Sequence, residues 1–242
     1  CCHGVLFHII YLLLAASVAG LWWLYPLPSL IFFLGISALH FGSSDIRHIS
    51  SPSSRDAWLP LIAHGGLVVI GIPVLQSADV EPLFAVLVGA ENSLWLLNQI
   101  DQLRLPWAAS LFAYLIYSIY QPRWRKSLFS LAVLIVLAYL LPPLVSFALY
   151  FCLWHSRSHM QRIWRSIAPD QRRRSASEAV AYSLLAYAAA GIYLVFQTNS
   201  APASVTSITP GLLQLTFIGL AAFTVPHMVL VDFIHGQQAE EQ

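Results

Sequence analysis

Long apolar segments recur from one end of this sequence to the other, at 4–24, 29–43, 57–76, 105–120, 127–141, 144–159, 177–196 and 210–233. A helix that crosses a bilayer needs about 20 predominantly apolar residues, and these runs meet or approach that length. The apolar stretch that starts at 127 is too long for one crossing and is cut by Pro142 and Pro143. It reads as two short helices joined by a tight turn, because proline cannot continue a helix. Composition agrees: 58% of the 242 residues are hydrophobic and 10% are charged, against about 25% charged in a soluble domain. So few charges exclude a water-soluble enzyme, and so apolar a chain cannot be intrinsically disordered. The expectation is an all-α, polytopic integral membrane bundle of about eight transmembrane helices (seven to nine), one domain over 1–242 without internal repeats. The chain begins at Cys1 rather than Met, which reads as an N-terminus trimmed in its first helix.

Charge sets the orientation. Lys and Arg concentrate in cytoplasmic loops, and here they fall in 44–56 (Arg47, Arg55), 121–126 (Arg123, Arg125, Lys126) and 157–174 (six arginines). Segments 25–28 and 197–209 carry no charge, and 77–81 carries only Asp79 and Glu81. The segment 82–98 is apolar but holds Glu91, Asn92 and Asn98. If it does not cross, every basic loop lies inside, with both termini cytoplasmic; if it crosses, 121–126 lands outside. Charge therefore favours a re-entrant or interfacial 82–98 in an inner-membrane protein. A net charge of +1 gives no footprint for nucleic acid, and three cysteines (Cys1, Cys2, Cys152) make no disulfide framework.

Ionisable groups inside spans are costly and mark function by default. In this chain they are histidines. His3, His40, His64, His155, His159 and His227 all fall in the cytoplasmic half of their spans when counted at about 1.5 Å per residue. His8 and His235 read as interfacial side chains, and His48 as a loop residue. His155 and His159 are spaced i, i+4, which puts both rings on one helix face, as in helices that donate two metal ligands. Joined to other histidines at one depth, the pair points to a metal. Hydrolytic zinc sites keep a glutamate base beside their ligands, and no glutamate lies in the histidine-bearing spans. An all-histidine site in an apolar pocket suggests a redox metal acting with dioxygen on a lipid-soluble substrate. Haem is the competing redox cofactor, since paired histidines can ligate it axially.

Four segments carry a resemblance. Cys2–Phe7 with His8 resembles a PHGxxDH motif, 37–45 (SALHFGSSD) an HFGxSD motif, 150–159 (YFCLWHSRSH) a YFxxWHSxxH motif, and Val225–Met228 a C-terminal PH motif. Together they are similar to the Brp/Blh family of membrane proteins, beta-carotene 15,15′-dioxygenases that form retinal. Cys2 stands where the family has Pro, and Phe7 where it has Asp.

The resemblance implies a non-haem Fe(2+) held by His3, His40, His155 and His159. His227 and His64 would be neighbouring or alternative ligands, and Asp45 would orient a ligand imidazole. Phe41, Tyr150 and Trp154 would line the substrate tunnel. It also implies β-carotene and O2 as substrates, retinal as product, membrane lipid as surroundings and a functional link to a retinal-binding rhodopsin. The missing Asp at position 7 implies a less tightly held iron. Rival readings are a haem-binding membrane electron carrier, a proton-coupled transporter with a histidine relay, and a histidine-rich di-iron desaturase or hydroxylase. The last uses HxxHH boxes, which this sequence lacks.

Overall fold

The computed structural model describes residues 2–51, 54–200 and 205–240. Among them every regular element is helical. In order these are α1 (Cys2–Leu24), α2 (Pro26–Ile46) and α3 (Trp58–Gly66), which continues through a π-helical turn (Leu67–Gly71) into α4 (Ile72–Leu75). Then come α5 (Ser77–Val88), α6 (Ala90–Gln102), α7 (Arg104–Tyr120), α8 (Arg125–Leu140) and α9 (Pro143–Ala148). A second π-helical stretch (Leu149–Ser156) leads into α10 (Arg157–Ser166), followed by α11 (Arg172–Ser200) and α12 (Val205–Glu240). Helices satisfy their own backbone donors and acceptors, which lipid cannot do for them. Among the described residues, Pro26–Ile46, Trp58–Leu75 and Pro210–Met228 are long and apolar enough to cross a membrane, with shorter apolar helices at His8–Leu24 and Pro143–Ser156. Leu12, Leu13, Leu39, Phe112, Phe129 and Leu184 are each more than half exposed on the outside of the bundle, as lipid-facing side chains are.

The turn expected at Pro142–Pro143 is present, with α8 ending at Leu140 and Pro143 opening α9. The segment 82–98 is two short helices rather than one, broken at Gly89, whose φ of 86° suits glycine alone. With 12 and 13 residues, α5 and α6 are only about 18 and 20 Å long. They pack on each other, and the Ser93 hydroxyl donates to the Glu81 carbonyl at 2.8 Å.

The functional part of the bundle is set by α2 against α3. Buried residues on α2 are Leu30, Phe33, Ser37, Phe41 and Ser44, a stripe of helical period. Gly42 and Gly65 stand where the two backbones touch. A Cβ on Gly42 would lie 2.3 Å from the Leu61 carbonyl oxygen, and one on Gly65 would lie 2.2 Å from that of Ala38. Lipid offers no hydrophobic drive for helices to pair, so small residues that let backbones approach take over that role. Trp107 of α7 closes α3 from the other side, its ring over Gly66 and Gly71 and its Nε1–H donating to the Ala63 carbonyl at 3.1 Å.

Contacts between loops fix which ends of the helices lie together. Arg123, after α7, pairs with Asp56, before α3. His48, Lys126 and Arg165 line one cavity, so the ends of α2, α8 and α10 that carry the basic loops share a face. At the opposite end Gln76 donates to the carbonyls of Ala138 and Leu141.

Candidate metal centre

Near the basic face, α2 delivers His40 and Asp45, α3 delivers His64, and the π-helical stretch after α9 delivers Tyr150 and His155. The Asp45 side chain is 4% exposed and sits at the middle of this group. It accepts a hydrogen bond from the Tyr150 hydroxyl at 3.0 Å. Nδ1 of His64 lies 3.5 Å from one of its oxygens and Nδ1 of His155 lies 3.6 Å from the other. These are electrostatic contacts slightly longer than hydrogen bonds, and neither Nδ1 has another partner. The close approach at Gly42 and Gly65 puts Asp45 beside His64, one turn on along α2 and next in sequence on α3.

The two imidazoles held by Asp45 differ at their far nitrogens. Nε2 of His64 meets the Ser127 hydroxyl of α8 at 2.9 Å, so both its nitrogens face protein groups. Its ring is also buried against Tyr114, with centroids 6.0 Å apart. His155 is also buried and turns Nδ1 to the carboxylate, which leaves Nε2 as the nitrogen that can bind a metal. Its ring lies beside that of His40, with centroids 5.1 Å apart, and against Phe41 at 4.8 Å. Phe151 stacks on it at 6.0 Å. The π-helical geometry of residues 149–156 aims this cluster inward; such turns recur at functional sites.

Of the expected ligands, the structure brings together His40 and His155. His3 and His159 lie on α1 and α10, and their side chains are outside the described residues. His227 is half-buried on α12 between the buried Pro226 and Met228. His8 meets the Tyr182 hydroxyl at 3.2 Å, and His235 lies outside the described side chains. Among the described residues no group of three His, Cys, Asp or Glu converges to hold a metal ion. The pair that is described suits one: adjacent neutral imidazoles are ligands for iron, copper, nickel or zinc. A carboxylate behind a ligand imidazole fixes its tautomer.

Two cavities flank the centre. On the basic side is a polar one with about 1000 Å³ of open space, lined by Asp45, His48, His64, Ser127, Trp154 and Arg165 among others. On the other side lies an apolar one of about 700 Å³, running between α2, α4, α5 and α9. Phe41 belongs to its wall, whereas Tyr150 is engaged with Asp45 and Trp154 faces the polar cavity. Ser127 and the Tyr150–Asp45 bond were not read from the sequence. Tyr150 five residues before His155 was the available signal for one of them.

Fold and site together define an all-helical membrane protein with a buried histidine–carboxylate centre beside an apolar cavity. Residues 3–235 match the family described as Beta-carotene 15,15'-dioxygenase, and the chain belongs to that family. It is 37% identical over 228 residues to the Beta-carotene 15,15'-dioxygenase of Uncultured marine bacterium 66A03, covering 93% of this chain and 79% of the relative. It is 24% identical over 259 aligned residues to the Probable beta-carotene 15,15'-dioxygenase Blh of Halobacterium salinarum, covering 93% of this chain and 72% of that one. No solved structure matches.

Proposed function

We propose that this chain is an inner-membrane enzyme that cleaves the central 15,15′ double bond of β-carotene with O2, giving two molecules of retinal. The observation that carries the reading is the His40–His155–Asp45 group packed against Phe41, which on its other side walls a cavity lined almost wholly by hydrocarbon. His40 and His155, with His3 and His159, would hold ferrous iron, which supplies the activation of dioxygen toward an alkene. Asp45 keeps the His155 imidazole in the tautomer that presents Nε2. His64 and Tyr150 hold Asp45 from two sides, which would keep the carboxylate in its place behind His155. Phe41 lies between the imidazoles and the cavity and keeps water from the reacting carbons. Adding both atoms of O2 across one C=C bond yields two C=O groups with no proton gained or lost. The reaction therefore needs no glutamate base, in keeping with histidine-bearing spans that have none.

The cavity follows α2 from Phe41 back to Leu30, about 16 Å at 1.5 Å per residue. That is roughly half of a ~30 Å hydrocarbon core, a fitting slot for one arm of a long polyene cut at its centre. The eight-span topology draws support from the loop contacts. The Arg123–Asp56 pair requires an even number of crossings between residues 56 and 123. Trp58–Leu75 and α7 provide two, and α5 and α6, at 12 and 13 residues too short to cross, form a re-entrant hairpin that adds none. All three basic loops fall on one side, as cytoplasmic loops do.

The test is chromatography of carotenoids and retinal from a β-carotene-producing bacterium expressing the chain, with metal analysis of the purified protein. Retinal appearing as β-carotene falls, with about one iron per chain, is the expected result. Shorter or longer apocarotenals would overturn central cleavage. Zinc in active protein would overturn the metal assignment, and a Soret band would favour the haem reading.

A further inference from the structure

Ser37 of α2 is 4% exposed and lines the apolar cavity, where it is the one polar side chain among the described lining residues. Its hydroxyl has no hydrogen-bond partner. Serines on apolar helices ordinarily return their hydroxyl to their own backbone, and other serines in this chain do so. Ser43, Ser110, Ser118 and Ser146 donate to the carbonyl three residues back, and Ser17 and Ser183 to the one four back. Ser37 does not. An unpaired buried hydroxyl costs stability, and an alanine here would not. Ser37 stands one helical turn before His40 and Phe41, hence near the reacting end of the cavity rather than its far end at Leu30.

We propose that Ser37 is the binding residue for the product aldehyde: its O–H donates to the carbonyl oxygen of the retinal arm lying in the cavity. This rests on the functional reading above. The chemistry selects the product over the substrate. β-Carotene is a hydrocarbon and offers no acceptor, whereas cleavage creates an oxygen at the carbon that lay beside the imidazoles. An end-ring hydroxyl or keto group of an oxygenated carotenoid would reach the far end of the cavity instead, away from Ser37. The walls support the same placement. Phe217 and Phe147, which line the cavity, stack in sequence with Phe151, with centroids 6.0 and 5.7 Å apart, and Phe151 in turn stacks on His155. They give the polyene an apolar path without any second polar anchor. Ser37 thus distinguishes product from substrate, and sets how long retinal stays before it leaves for lipid.

The test uses the full chain in lipid nanodiscs, as wild type, Ser37→Ala and the nearly isosteric Ser37→Cys. Binding of all-trans-retinal and of β-carotene is measured separately by fluorescence quenching, and the C=O stretch of bound retinal by infrared difference spectroscopy. A neutral hydrogen bond is worth about 0.5–1.5 kcal/mol, so the ratio of retinal to β-carotene affinity should fall roughly 3–10-fold in both variants. The carbonyl stretch should move up to its value in hydrocarbon solvent. An unchanged ratio or an unchanged stretch overturns the proposal, as does an equal loss for both ligands, which would mark Ser37 as packing only. An affinity that falls for ring-hydroxylated carotenoids but not for retinal overturns it in favour of end-ring selection. Because these readings need no turnover, they stand apart from the cell assay. Wild-type cells that make no retinal would sink the functional reading, and the binding ratio would still decide the role of Ser37.

Discussion

At the basic end of α2 the buried carboxylate of Asp45 meets Tyr150, His64 and His155, and His64 passes the contact on to Ser127. Eight residues earlier on the same helix, Ser37 is just as buried and meets nothing. Both regions lie along α2, and Phe41 borders each, walling the cavity and touching His155. The difference separates groups that position one another from a group kept for a ligand. A polar cluster in a low-dielectric interior holds its shape only when its members satisfy each other. A lone hydroxyl in a hydrocarbon-lined slot gains its partner only when something enters.

The largest expected effect comes from breaking the polar side at its metal-facing member. His155→Ala should abolish retinal formation and lower iron content in purified protein. Retained iron with normal turnover would move the ligand set to other histidines. Asp45→Asn keeps the shape but removes the charge behind His155, and partners of this kind shift metal affinity about 10–100-fold. Iron titration monitored by retinal formation should show that loss, partly restored at high iron; no restoration would mean that Asp45 does more than orient. Gly42→Ala probes the backbone contact that creates both regions. Overpacking costs about 1–3 kcal/mol, and thermal melts in detergent should fall by about 2–4 °C for each kcal/mol. An unaltered melt would show that α2 and α3 separate easily. Tyr150→Phe removes one donor to a charged acceptor, and should cost about 1.5–3 kcal/mol at most while leaving the cavity intact.

The smallest effect lies outside the spans. Partial desolvation pushes the Asp56 carboxyl up, but hydrogen bonds from Ser54 and Ser50 and the Arg123 charge outweigh it and hold the carboxyl below its ordinary value. A lowered carboxyl stabilises the fold above its unfolded pKa, and that contribution is lost as pH falls through the folded value. Asp56→Asn should therefore melt slightly below wild type at neutral pH and coincide with it in acid. In a background lacking the native cysteines, Gln121→Cys should resist labelling from the periplasm while Ser77→Cys accepts it. Labelling at position 121 from outside would break the re-entrant reading of α5–α6.

Much of this was legible in one dimension. Apolar runs and Pro142–Pro143 told of membrane helices and their turns. The polar residues Glu91, Asn92 and Asn98 told that 82–98 is no ordinary span, although the break at Gly89 was not anticipated. His40, Asp45 and His155 were legible because the chemistry of a site is written in residue types at short spacing. The partner of the Tyr150 hydroxyl was not legible, because Asp45 lies on another helix, 105 residues away.

By itself the sequence determined that the chain is a membrane protein, which histidines fall within its apolar segments and which loops carry positive charge. Each of these follows from local composition and helical period, and none changes when the helices are rearranged. Only the tertiary structure decided that His64 faces Asp45 and Ser127 while His155 keeps a nitrogen for other use. It alone set Ser37 in an apolar cavity with nothing to bond. Those outcomes depend on how closely α2 and α3 approach at Gly42 and Gly65, a contact between residues over twenty positions apart that no local pattern encodes.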